Sequence, residues 1–212
     1  MARTWSLVLV AVCGWTAGCR PAASPSEPPV AVAAPADAVQ RDERQVAFAA
    51  RDAMFRRLSG KLKEVLQAAG PVAAIDVCRE QAPQIAAETG AQFGVAIGRT
   101  SFRLRNEKNV PPEWARSLVA SRPDEPRFLT LADGRLGALL PIRLKAECRL
   151  CHGVRDQISP EIQSALKAHY PKDQATGFET GELRGWFWVT VPAGARLEEP
   201  SSTSSPNEGS ER

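Results

Sequence analysis

Cys148-Arg149-Leu150-Cys151-His152 sets two thiols three positions apart and an imidazole directly after the second. That pattern is the one used to attach c-type haem. Thiols at this spacing can add across the two vinyl groups of the porphyrin and become thioethers. The adjoining imidazole can then ligate the iron from the proximal side. The chain is poor in these ingredients: it holds five cysteines and two histidines, and three of those seven residues fall in one pentapeptide. The pattern predicts one covalently bound haem c, on Cys148 and Cys151, with His152 on the metal.

Two other chemistries use cysteines so spaced. A redox-active Cys-x-x-Cys pair would follow a strand, and the run from Leu139 to Leu144 could be one. Such a pair has no need of the histidine, however, and no thioredoxin-like βαβ pattern surrounds it. A zinc site would need two further ligands, for which only Cys78, His169 and acidic residues remain. The alternative to a haem protein is therefore a haem-free thiol–disulfide or structural lipoprotein.

A haem iron held by His152 has a sixth position, and few side chains could fill it. Met54 falls on a predicted first helix, Cys78 on a second, and His169 on the helix after the motif. Each also has a plainer reading. A methionine on an apolar face fills core space, a lone cysteine there is a small buried hydrophobe, and a histidine in a last helical turn favours the helix dipole.

These side chains need a scaffold, and 212 residues suffice for one domain with a core. The net charge of +3 is small and unclustered. A basic stripe is missing, which argues against nucleic acid. Residues 1–18 read as a signal peptide: Arg3, then an apolar run from Trp5 to Val12, then Ala17-Gly18. The run falls short of the roughly 20 residues that span a bilayer. Thr16-Ala17-Gly18-Cys19 is similar to a bacterial lipobox, with threonine where leucine is usual. Cys19 is thus expected to carry lipid, each buried CH₂ contributing about 0.8 kcal/mol; the plainer reading is a cleaved signal peptide with an incidental cysteine. Residues 19–40, rich in Pro and Ala, read as a tether. Residues 197–212, rich in Ser, Glu and Pro, read as a disordered tail. The expected location is the periplasm or cell exterior, where c-type haem is attached.

Between tether and tail, residues 41–196 form the expected domain. Arg41 to Ala69 has helical apolar spacing through Val46, Ala50, Met54, Leu58, Leu62 and Val65. Gly70-Pro71 should end it and start a second helix running to Thr89, which Pro83 kinks or else ends and restarts, with Gly90 as its cap. Phe93–Ile97 and Phe102–Leu104 read as strands, and Pro111-Pro112 starts a short helix. Arg127–Leu131 and Leu136–Leu144 flank Asp133-Gly134 as a hairpin, with one buried face and with Pro141 at an edge or bulge. Ser159-Pro160 starts a helix that Pro171 stops. Gly185–Val191 is the last strand, with Trp186, Trp188 and Val191 available to line a pocket. Arg99, Arg103 and Arg105 could pair with haem propionates, or merely form a solvated strand face. The order predicts an α+β fold: an antiparallel sheet flanked by helices, with long helices first.

Residues 71–192 also carry an array that resembles the PAS-like c-type haem-binding domains, found as single-haem exported cytochromes and as bacterial sensor portions. It comprises Ile75-Asp76-Val77-Cys78, Ala82-Pro83 with Ile85-Ala86, Arg99-Thr100-Ser101, and Arg105-Asn106 with Asn109 and Pro112. Cys148-x-x-Cys151-His152 follows, then Tyr170-Pro171-x-Asp173-x-Ala175-x-Gly177, Gly181 and Leu183-Arg184-Gly185. The resemblance implies a PAS-like fold and His/Cys axial ligation, with Cys78 opposite His152. A thiolate in that place favours ferric iron and a low potential. Weakening of its bond on reduction would turn redox state into a structural change. The expected role is redox or gas sensing or electron transfer with an unidentified protein partner. No enzyme activity is expected.

Overall fold

The computed structural model describes residues 41–197. The expected signal peptide, the lipidated Cys19, the tether and nearly all of the tail lie outside the described residues. No helix among the described residues is long and apolar enough to cross a membrane.

The described residues open with α1 (Arg41–Asp76), whose helical geometry is interrupted at Gly70 (φ 80°, ψ 180°), followed by Pro71. A positive φ at this point suits glycine alone among common residues. A π-helical turn, Val77–Gln81, follows. It leads without a break into α2 (Ala82–Phe93): Pro83, which cannot donate, follows directly on the π-turn, whose closing bond runs from the Ala82 amide to the Val77 carbonyl. The second helical segment packs back on the first: Leu58 shares a cluster with Val77 and Ala82. Gly90 does not cap α2. The helix continues to Phe93, and Gly94, in the left-handed region, ends it. Gly90 instead admits the returning chain: a Cβ there would meet the Val95 carbonyl at 2.7 Å.

The sheet has four antiparallel strands in the order β1-β4-β3-β2: β1 (Ala96–Thr100), β2 (Arg127–Thr130), β3 (Leu136–Arg143) and β4 (Leu183–Val191). β2 and β3 form the expected hairpin across Asp133-Gly134. β3 is an inner strand, yet Pro141 costs it nothing. The pairing of β2 with β3 ends at Leu139, and the β3–β4 register shifts at Ile142/Arg143. Phe102–Leu104 is not a strand. Ser101 Oγ accepts from the Arg103 amide (3.0 Å) and donates to the Arg184 carbonyl (2.7 Å), which turns the chain out of the sheet.

Both faces of the sheet are covered, not one. Leu136, Ala138, Leu140, Phe187, Val189 and Val191 pack against Val46, Ala47, Ala50 and Met54 of α1. Leu139 and Trp186 point the other way, against Ala115 and Val119. These two belong to a 3₁₀ turn (Glu113–Ala115) and α3 (Arg116–Ser121). After β3 come a 3₁₀ turn (Ala146–Cys148), the one-turn helix α4 (Arg149–His152) and α5 (Pro160–His169). Ser159 caps α5 and Pro160 opens it. The architecture is α+β, as expected.

Candidate functional site

Where the pentapeptide meets the helical arm, the fold leaves a cleft of about 190 Å³. Cys148, Cys151 and His152 line one wall, and Cys78 lines another, brought there by the π-turn. Leu58, Leu62 and Leu66 of α1, Ile75, Leu144 and Phe187 supply apolar lining. Side chains from two segments far apart in the sequence therefore share one cleft. The other two candidates for the sixth position do not: Met54 is 1% exposed in the core between α1 and the sheet, and His169 is exposed at the end of α5. Three or more His, Cys, Asp or Glu side chains placed to hold a metal ion by themselves are not found among the described residues.

The two thiols are packed differently. Cys148 contacts the cluster of Leu144, Ala175 and Phe178. Cys151 contacts that of Ile75, Ile158, Ile162, Leu166 and Tyr170. Burial pushes both thiols above the usual range, so both stay protonated near neutrality. A redox-active pair needs the opposite, a depressed thiol at an electropositive site.

His152 is held by a main-chain atom. Its Nδ1 lies 2.7 Å from the Ala175 carbonyl oxygen. Burial, then the nearby Arg184 and Arg105 guanidinium groups, hold the imidazole well below its usual pKa, so the ring is neutral. A neutral ring so close to a carbonyl must carry its proton on Nδ1, since two lone pairs would repel. Nδ1–H donates to Ala175, and the lone pair is left on Nε2. Arg184 Nε, 3.3 Å from Nδ1, is then a neighbouring N–H and not a donor to it.

Of the three arginines read from the sequence, only Arg99 and Arg105 line the cleft. Arg103 lies instead over the Phe178 ring, 3.8 Å from its centroid. Arg105 is already engaged, donating to Asp173 Oδ2 (3.1 Å), the Cys151 carbonyl (2.5 Å) and the Ala175 carbonyl (3.1 Å). A buried cation that sequence reasoning did not assign to the site is Arg184. It lines the cleft, and its Nη1 donates to Ser101 Oγ (2.8 Å) and the Arg103 carbonyl (3.3 Å). Burial and the charges of Arg105 and Arg99 bring its pKa down to about 9, which still leaves it charged at neutral pH. Trp186, Trp188 and Val191 do not line the cleft. Alternation along β4 turns both tryptophans to the far face, and Trp186 Nε1 donates to the Pro123 carbonyl at 2.9 Å. Val191 packs under α1, and Phe187 and Gly185 supply the β4 part of the lining.

No curated protein matches the chain. Among solved structures, one titled as the crystal structure of the cyanobacterial heme-protein Tll0287 superposes with a TM-score of 0.55 at 20% identity, over 76% of this chain and 100% of that one. It shares the α+β fold described above. A sequence profile of the Tll0287-like family matches residues 33–192, most of the chain and nearly all of the described residues. The protein belongs to the Tll0287-like family.

Proposed function

We propose that this chain is a haem protein that carries a single haem c, with Cys148 and Cys151 as the thioether residues, His152 as the proximal ligand and Cys78 as the ligand opposite. The observation that carries this reading is the convergence of all four side chains on one cleft, with His152 Nε2 as the free ring nitrogen. The donor set fits the group. It offers two neutral thiols able to add across vinyl groups, an oriented imidazole, a third thiol on another wall, and two guanidinium groups, Arg99 and Arg184, for the propionates. Membership of a family whose structural relative is a heme-protein supports it further. The raised thiols and the second helical wall weigh against the haem-free disulfide reading.

Bound haem would supply one-electron redox chemistry. The chain's part is to hold and shield it: the apolar α1 wall excludes water, and His152 is fixed in one tautomer by Ala175. Electron transfer, or sensing of redox state or a small gas, is the role; no residue is assigned to catalysis. The chain is exported and held at a membrane by lipid on Cys19, and a separate redox or signalling protein is its partner.

The decisive experiment is expression in cells competent for cytochrome c maturation, followed by a haem-stained denaturing gel of wild type and of Cys148→Ala/Cys151→Ala. Wild type should stain and the double variant should not. Colourless wild-type protein would overturn the proposal. For the opposite ligand, Cys78→Ser should change the ferric Soret band and EPR spectrum, and Met54→Leu should not. Sensing requires that the reduced protein respond to CO; an unresponsive ferrous form leaves electron transfer. Loss of membrane retention in Cys19→Ala tests the anchor.

A further inference from the structure

The Arg105–Asp173 pair is the most buried ion pair among the described residues, with side chains 9% and 8% exposed. Such a pair carries a desolvation cost that only good geometry and further hydrogen bonds offset. Here the further bonds all lead to His152. Asp173 Oδ2 takes Arg105, and Asp173 Oδ1 accepts the Ala175 amide at 2.7 Å. Arg105 Nη2 donates to the Ala175 and Cys151 carbonyls. The Ala175 carbonyl, gripped from one side by the guanidinium, accepts His152 Nδ1–H on the other. The same segment is tied on by Gln174 N to Leu104 O (2.9 Å), Gly177 N to Gly153 O (2.7 Å) and Phe178 N to His152 O (3.0 Å).

We propose that Arg105 and Asp173 are positioning residues for His152: they fix the Ala175 carbonyl, and through it both the orientation of the imidazole and the donor strength of Nε2. The pair thus has a use other than holding a propionate. The physical basis is competition at one oxygen. A guanidinium on the Ala175 carbonyl draws density from it and makes it a weaker acceptor for Nδ1–H. The ring therefore keeps more of its proton, and Nε2 stays a moderate donor; partners of this kind tune a ligating histidine. Without Arg105 the carbonyl accepts more strongly, Nε2 becomes more basic, and the oxidised form of a bound metal is favoured.

This inference rests on the haem reading above, and its test separates the two. In matured holoprotein, Arg105→Gln should keep covalent haem but show a lower midpoint potential and an altered low-spin EPR signal. Arg105→Lys, which retains a charged donor, should move both back towards wild type. Wild-type potential and EPR in Arg105→Gln, or identical values in the two variants, would overturn the proposal. If Arg105→Gln fails to mature, hydrogen exchange of the wild-type chain decides. The amides of Asp173, Gln174, Ala175, Gly177 and Phe178, outside any regular element, should be protected as well as those of β3 and β4. Exchange at the rate of an exposed loop would refute the clamp. That measurement needs no haem, so a colourless wild type would sink the haem reading and leave the clamp still open to refutation.

Discussion

The wall of the cleft that carries His152 and the wall that carries Cys78 are held by different means. The first is irregular chain laced to distant segments: residues 173–178 bond to Leu104, His152 and Gly153, Arg105 bonds to the Cys151 carbonyl, and a buried ion pair sits among them. The second is helical arm, with bonds running along its own axis. The polar side chains beside Cys78 bond to each other near the surface: Arg79 to Asp76 at 3.2 Å and to Glu80 at 2.6 Å. It meets the rest of the fold through Ile75 on one side and Val77 and Ala82 on another. One wall is cross-linked by hydrogen bonds and the other is held by apolar packing. Should Cys78 and His152 ligate as proposed, the two ligands would be supported in these two different ways.

The contrast can be broken in order of expected effect. Phe178→Ala empties a site that is 1% exposed and stacked beneath Arg103, and should cost about 3–5 kcal/mol in denaturant unfolding. On the helical side, Val77→Ala removes two buried methyl groups and should cost about 2 kcal/mol. A larger loss for Val77 than for Phe178 would reverse the comparison. Cys78→Ser should change stability by about 1 kcal/mol or less while altering the ferric absorption spectrum. If the fold collapses instead, the thiol is a structural contact first. Ser159→Ala should cost the least, about 0.5 kcal/mol, because the cap bond to the Ile162 amide is long at 3.5 Å. A drop of several kcal/mol on thermal melting would show that α5 braces the laced wall more than its geometry indicates.

Much of this site was readable in the chain. The pentapeptide declared two thiols and an imidazole, and the 133–134 turn and the Ser159-Pro160 start are written in residue types that permit little else. What escaped sequence reasoning has a common physical cause. The Ala175 carbonyl that orients His152 is a main-chain atom, which every residue has, so no side chain announces it. Arg105 looked free because its partner, Asp173, is distant in sequence and close only after folding. Arg184 stands at the start of a strand whose alternation gives no hint that its guanidinium turns under the motif. The tryptophans were misplaced for a related reason. Aromatic residues near a site suggest lining, yet the parity of β4 sends Trp186 and Trp188 to one face and Phe187 to the other. Met54 has the right chemistry for iron and the wrong address.

The stretch Val77–Gln81 contains one more residue per turn than the α-helices on either side of it. A spare residue in a helix behaves like a dislocation in a crystal row. It can be parked in one turn or the next, and its place sets the bearing of everything in between. Ile75 is seated against α5 before it, and Val77 within it and Ala82 after it are seated against α1, so the chain is anchored on both sides of Cys78. Excising one residue here would advance the thiol by about 100°, one α-helical step, and swing it out of the cleft while both anchors stay where they are. The bearing of Cys78 thus depends on the number of residues between its anchors.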